Sequence, residues 1–431
     1  MSDDGRLATL RRLIKPRPLT RGFLEFLNAA NGLRPLTRNP YASVAVFWLG
    51  WPTSEVPQLY AVASTLDAIR RGRRGDFAGP RGKAALALTA ASWIILGLIR
   101  FRGMATPGPV LASGLTEALG PDYRDELKAL PTESSPQKRV GSRNPPLRTT
   151  VARRRYVAKQ NVVSYGPHGR ANLADIWRRR DLPIDGKAPV LLQVPGGAWM
   201  IGWRRPQAYP LMEHLVSRGW ICVSINYRVS PWHTWPDHIV DVKQALAWVK
   251  ENIAAYGGDP NFVAISGGSA GGHLSSLAAL TPNDPKFQPG FEEADTSVVA
   301  AVPFYGRYEW YTTEAPGRAE FLEVLERLVV KGKLTTHEQT FLDASPLRYV
   351  RPDAPPFFVL HGTDDSLIPV EEAREFVREL RAVSKSPVGY AELPHAQHAF
   401  DIFGSPRANM SAEAVARFLS WVYATKYLRQ D

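Results

Sequence analysis

The chain has 431 residues, 44% of them hydrophobic, a single cysteine and a formal net charge of +12. That length exceeds one typical domain, and the apolar content is ample for a sizeable core. One cysteine excludes an intramolecular disulfide, and the nine histidines show no Cys/His set at zinc spacing, so neither a metal nor a cofactor is expected.

The charge is unevenly placed. Residues 1–160 hold 26 Lys+Arg against 11 Asp+Glu, whereas the rest of the chain holds 27 against 30. The basic character therefore belongs to the N-terminal part, as in a segment that binds an anionic surface, and its apolar neighbours favour lipid over nucleic acid. The stretch 84–99 carries no charge; Arg81 and Lys83 precede it, and Arg100 and Arg102 follow. It approaches the roughly 20 residues of a spanning helix. An earlier stretch, 41–66, is also largely apolar but is interrupted by Pro52, Glu55 and Pro57. Residues 41–102 together read as a membrane hairpin or interfacial anchor. The side of the membrane stays open, because Lys and Arg flank every candidate span. Residues 1–130 are thus expected to be a basic, apolar helical region, 131–150 a linker rich in proline, and 151–431 a separate domain with its own chemistry. The run Arg153-Arg154-Arg155 reads as a solvated strand-entry edge. No aromatic RNA motif or recognition helix accompanies it, so no nucleic-acid partner is expected.

From about residue 155, apolar strand-like runs alternate with amphipathic stretches. A hairpin is predicted over 157–178, and strands near Val190, Trp220, Phe262, Val298, Phe357 and Val388. The alternation predicts an α/β fold, a mostly parallel central sheet flanked by helices. Asp241 to Lys250 has apolar residues at helical spacing and belongs to a covering helix. Cys222 falls inside an apolar strand and is expected to be a buried, inert thiol. The longest excursion, 305–345, is either a lid over a site or ordinary core.

Between the strand Phe262–Ile265 and the helical stretch from His273 stands Gly267-x-Ser269-x-Gly271, the pattern of a nucleophile elbow. A serine hydroxyl is a poor nucleophile and needs a sharp turn where a base can reach it. Downstream, the buried run Pro356–Leu360 leads into Asp364 and Asp365, either of which spacing allows as the orienting acid. A further strand, 388–393, leads into His395 and His398, either of which spacing allows as the base. Pro195-Gly196-Gly197-Ala198-Trp199, after the strand Val190–Val194, is a loop whose N–H groups suit an oxyanion, with Ala270 as a further donor after the serine.

With these pieces assembled, residues from about 155 to 425 resemble the hormone-sensitive-lipase-like branch of the α/β-hydrolases. Pro195–Trp199 looks like the family's His-Gly-Gly-x-Trp loop. Tyr227-Arg228-Val229-Ser230-Pro231 matches Tyr-Arg-x-x-Pro, and Gly257-Gly258-Asp259-Pro260 before the elbow is a family habit. His361 to Pro369 fits His-Gly-x-x-Asp-x-x-Ile-Pro, and this resemblance selects Asp365; the His-Ala-Phe motif selects His398. The resemblance implies a serine carboxylesterase or lipase with Ser269, Asp365 and His398 as catalytic set. Gly196, Gly197, Ala198, Ala270 and Trp199 would form the oxyanion and substrate-binding segments. Pro195 replaces the usual histidine, and Trp232 replaces a usual glutamate. Trp199, Trp203, Trp232 and Trp235 suggest apolar, short- to medium-chain acyl esters. An arylformamidase-like amidase, an acyltransferase and a non-catalytic ligand-binding protein are the alternatives.

Overall fold

In the computed structural model, which describes residues 18–37, 40–128, 146–314 and 317–427, the chain divides into two units, 1–103 and 104–431. The first is helical. It comprises α1 (Pro18–Leu33), α2 (Pro40–Glu55), α3 (Pro57–Arg73) and α4 (Gly79–Ala105), the last running just past the unit's edge. Pro57 opens α3 at a position where a missing N–H costs nothing, which is how the apolar stretch divides into two helices.

The second unit begins with α5 (Pro107–Leu119), α6 (Tyr123–Lys128) and α7 (Pro146–Tyr156). The boundary therefore falls at 103/104, where the sequence pattern places it after 130. The reason is packing. Gly114 of α5 lies so close to Tyr390 that a Cβ there would stand 2.2 Å from its carbonyl oxygen. Glu126, in α6, accepts a 3.0 Å bond from the Trp421 indole. Of the expected linker, 131–145 lies outside the described residues, and 146–150 opens α7. The three arginines assigned to a strand edge sit on that helix, and Arg153 Nε reaches the buried carboxylate of Asp175 at 2.5 Å.

The apolar runs of this unit join one sheet: β1 (Val162–Ser164), β2 (Leu173–Trp177), β3 (Ala188–Val194), β4 (Ile221–Ile225), β5 (Gly258–Gly268), β6 (Ala301–Phe304), β7 (Phe357–Gly362) and β8 (Val388–Leu393). Their order is β1-β2-β4-β3-β5-β6-β7-β8. β1–β2 and β2–β4 are antiparallel, and every other pairing is parallel. Parallel strands are covered on both faces, which is why β4 and β7 are buried along their whole length and read as unbroken apolar runs. Cys222, in β4, is a buried free thiol.

The helices α8 (Tyr209–Val216), α9 (Asp237–Asn252), α10 (Ala270–Leu280), α11 (Arg318–Val324), α12 (Glu338–Asp343), α13 (Glu371–Val383) and α14 (Pro406–Tyr427) complete the unit. On α9, Ile239, Val242, Leu246 and Val249 are buried at helical spacing, each contributing about 1.5–3 kcal/mol by leaving water. In the 305–345 excursion, Tyr308, Trp310, Leu325, Val329 and Phe341 join the main core. After β3 the chain turns to β4 on one side and returns to β5 on the other. That reversal opens a crevice at the carboxyl ends of the strands, where open α/β sheets bind ligands.

Candidate active site

Ser269 stands in this crevice, between the end of β5 and the first residue of α10. Its φ of 59° and ψ of −121° form a conformation that costs a non-glycine residue of order 1–3 kcal/mol. The turn holds because its neighbours have no side chains. A Cβ on Gly267 would lie 2.4 Å from the Gly271 oxygen, and one on Gly271 would lie 2.2 Å from the Val194 oxygen. The backbone N–H of Ser269 is tied to the Phe304 carbonyl at 3.0 Å. The amino end of α10, with Ala270 first, adds a positive dipole beside the hydroxyl.

Asp365 and His398 come together from the loops after β7 and β8. His398 Nδ1 lies 2.6 Å from Asp365 Oδ2. The carboxylate accepts further: Oδ1 takes the N–H groups of Leu367 and Ile368, both at 2.8 Å, and Oδ2 lies 3.2 Å from His361 Nε2. Burial pushes this carboxyl up, but the facing His398 and the bonds from His361 and His398 outweigh it and hold Asp365 well below the usual carboxylate range. An imidazole nitrogen that faces a carboxylate carries the proton, so Nδ1–H of His398 points at Asp365 and Nε2 is left as the basic atom. The other pair that spacing allows also exists. His395 Nδ1 lies 3.6 Å from Asp364 Oδ2, but this histidine is 40% exposed at its side chain.

Tyr305 links the histidine to the elbow. Its ring centroid is 4.6 Å from that of His398, and a Cβ on Gly268 would stand 2.6 Å from its hydroxyl oxygen. That hydroxyl donates a short hydrogen bond to Asp401. Neither Tyr305 nor Asp401 is distinguishable in the sequence from an ordinary strand-end tyrosine and loop aspartate.

The Gly-Gly loop passes directly beside the serine. A Cβ on Gly196 would lie 3.1 Å from the Ser269 Cβ. Gly197, Ala198 and Trp199 all have positive φ, at 128°, 52° and 58°, and this turns the loop over the crevice. Gln207 fixes its start, accepting from Gly196 N at 2.7 Å and donating to Gly196 O at 3.0 Å. The Gly196 N–H is therefore committed to Gln207, and it is not an oxyanion donor in this arrangement. The Pro195 carbonyl is held by the Tyr227 hydroxyl at 3.1 Å.

Trp199 is turned away from the crevice. It is 1% exposed, and its indole N–H donates to His273 Nδ1 at 3.2 Å. Its ring packs edge-on against Trp310, with centroids 4.8 Å apart. Burial lowers His273 to about 3, which keeps the acceptor nitrogen unprotonated. Trp235 is buried in the same aromatic group, so of the four tryptophans expected at the pocket two are core. Trp203 and Trp232 are 68% and 80% exposed. A cavity of about 570 Å³ lies at the opposite, amino ends of the strands, lined by Val298, Pro356, Pro387 and Trp421, away from Ser269.

A sheet of this order, with a strained serine after its fifth strand and a bonded aspartate–histidine pair after its seventh and eighth, is that of an α/β-hydrolase. Residues 181–380 match the BD-FAE family model. Over 406 residues the chain is 52% identical to the probable carboxylic ester hydrolase LipM of Mycobacterium tuberculosis, an alignment covering 92% of this chain and 91% of that protein. It is 52% identical to the esterase LipQ of the same organism over 386 residues, covering 89% and 86%. The chain belongs to this family of carboxylic ester hydrolases, within the hormone-sensitive-lipase-like α/β-hydrolases, and is an ester-hydrolysing enzyme. Among solved structures, a truncated carbohydrate esterase from gut microbiota shares the fold, with TM-score 0.53 and 22% identity over 62% of this chain and 96% of that one. The apo form of Thermogutta terrifontis esterase 2 does so with TM-score 0.51 and 23% identity, over 62% and 93%.

Proposed function

We propose that the enzyme works through an acyl-enzyme on Ser269. Ser269 Oγ attacks the ester carbonyl while His398 Nε2 takes its proton. The tetrahedral oxyanion accepts N–H bonds from Gly197, Ala198 and Ala270. Collapse expels the alcohol, which receives the proton from His398. Water, deprotonated by the same imidazole, then attacks the acyl-enzyme and releases the acid. The observation that carries this reading is the 2.6 Å bond from His398 Nδ1 to a fully buried Asp365, which fixes the tautomer a general base requires. It favours Asp365 and His398 over Asp364 and His395, whose contact is longer and exposed.

The substrates we infer are apolar esters of short to medium acyl chain. Ile201, Trp203 and Trp232 are at least half exposed on the loops that follow the Gly-Gly turn and the Tyr227–Pro231 segment, giving an apolar rim. Trp310 and Phe321 of the 305–345 excursion pack on Trp199 and support a fixed wall as readily as a moving lid. We also read the enzyme as membrane-associated through residues 41–102. Helical residues 79–119 are long and apolar enough to cross a membrane, and 28% of their most apolar window is buried.

The test is steady-state hydrolysis of p-nitrophenyl acetate, butyrate, octanoate and laurate by the full chain and by Ser269→Ala. The variant should lose at least about 10³-fold in kcat, and butyrate or octanoate should give the highest kcat/KM. Near-wild-type turnover by folded Ser269→Ala would sink the nucleophile assignment. A sharp preference for acetate would sink the apolar-acyl reading.

A further inference from the structure

The first unit is built inside out. Seventeen of the 25 large apolar side chains exposed among the described residues lie on α1 to α4 and the turn after α1, although these make up less than a quarter of the chain. They include Trp48 at 59%, Leu49 at 64%, Leu66 at 64%, Ile94 at 74% and Phe101 at 64%. A water-soluble helical bundle turns such a face inward.

Beside a small apolar cluster of Ala29, Leu96 and Ile99, the unit buries a polar network. Arg71, with a side chain 5% exposed, pairs through Nε with Asp67 at 2.9 Å and through Nη2 with Glu25 at 3.4 Å. Arg21 reaches Asp67 at 2.8 Å. Thr89 Oγ1 accepts from Arg71 at 3.1 Å and donates to Glu25 at 3.1 Å, while Ser64 also donates to Glu25 at 3.2 Å. The Trp93 indole closes the set on Ser64 at 3.0 Å. Arg71 is thus paired inside the bundle with Glu25 and Asp67, the half-exposed Arg21 balances the second carboxylate from the rim, and α4 adds Thr89 and Trp93 to the network. Helices meet through small residues, Gly22 against the Ala85 backbone and Gly32 against Thr53. Charges paired inward, glycines at helix contacts and apolar residues outward are what a hydrocarbon solvent selects.

Among the described residues of this unit, further basic side chains gather toward its ends. Arg70, Arg73, Arg74, Arg81 and Lys83 are exposed around the α3–α4 turn. Arg34 and Arg100 mark the other end, since Gly32 lies beside Ile99. Between Lys83 and Arg100 the charge-free residues rise about 24 Å at 1.5 Å each, close to the ~30 Å hydrocarbon thickness. We propose that α1 to α4 form a bilayer-embedded bundle, its outer surface in contact with lipid acyl chains and its basic α3–α4 turn in an anionic headgroup layer. This rests on the membrane association proposed above, and commits it to depth: Trp48, Leu66 and Ile94 face acyl chains.

The full chain suits site-directed spin labelling, because its one cysteine, Cys222, is buried. Trp48→Cys, Leu66→Cys, Ile94→Cys and, as a control on the second unit, Ile184→Cys (57% exposed in the native chain) would each be labelled and reconstituted in phosphatidylcholine–phosphatidylglycerol vesicles. Power saturation compares collision with apolar oxygen and with water-soluble nickel-EDDA. Oxygen should exceed nickel several-fold at 48, 66 and 94, with the reverse at 184. Nickel access at all four sites in vesicle-bound protein would overturn embedding while leaving surface association intact. Low access to both reagents at 48, 66 and 94 would show a protein partner covering the bundle and would also overturn it. Failure to sediment with vesicles would remove the membrane reading itself.

Discussion

Asp365→Asn separates orientation of the base from mere packing. The carboxylate serves two groups of donors: backbone N–H of Leu367 and Ile368 on Oδ1, and His398 and His361 on Oδ2. An amide cannot accept from both. With its oxygen on the backbone pair, its NH2 faces two imidazole N–H groups, and His398 must move its proton from Nδ1 to Nε2. The atom that should accept the serine proton then already holds one. The expected loss is of order 10⁴ in kcat, about 5.5 kcal/mol of barrier at about 1.4 kcal/mol per tenfold, with little change in KM. The side chain keeps its volume and sheds a buried charge, so the stability cost should stay near the ~1–3 kcal/mol of a mispaired buried polar group. The assay is p-nitrophenyl butyrate hydrolysis near pH 7, with a urea melt on the same sample. A folded variant that retains more than a tenth of wild-type kcat would refute the orientation argument.

Three further outcomes follow from the geometry. Gly196→Ala sets a Cβ 2.5 Å from the Gly268 oxygen and 3.1 Å from the Ser269 Cβ, so loop or elbow must shift. A displacement near 1 Å should cost about 10² in kcat, read in the same esterase assay. Gln207→Ala releases the Gly196 N–H and C=O together, and urea unfolding should show a loss of about 1–2 kcal/mol. Burial lowers His273 and His238 to about 3 each, whereas unfolded histidine titrates near 6.5. Between those values the unfolded chain binds more protons, so stability is full above about pH 6.5 and falls as pH drops, by up to about 1.4 kcal/mol per unit per histidine. The urea midpoint should decrease from about pH 7.5 to about pH 5; a midpoint that rises would contradict the burial of neutral imidazoles.

The elbow was legible because it is local. Gly267, Ser269 and Gly271 lie within one turn, and the clashes that forbid side chains there follow from that turn alone. The sheet was legible for a related reason, since strands buried on both faces leave uninterrupted apolar runs. Asp364 and Asp365 are adjacent, and spacing cannot tell which one faces inward; the two carboxylates pair with two different histidines, one exposed and one buried. Trp199 misled because an aromatic beside a glycine loop can line a pocket or fill a core. Its direction is decided by His273, far along the chain, whose Nδ1 takes the indole proton. Gln207 was invisible because its role depends on where the chain returns after the loop. Helix α1 lay outside the expected apolar segment because Arg21 and Glu25 interrupt it, and only tertiary packing sets them against Asp67 and Arg71.

The strained elbow and the Asp365–His398 pair together require an activated serine at position 269. Purified full chain and its Ser269→Ala variant should be exposed to a fluorophosphonate and the adduct mapped by mass spectrometry. A single adduct on the peptide containing Ser269, absent from the folded variant, is the predicted result. An adduct elsewhere, or none on folded wild-type protein that hydrolyses esters, would contradict it.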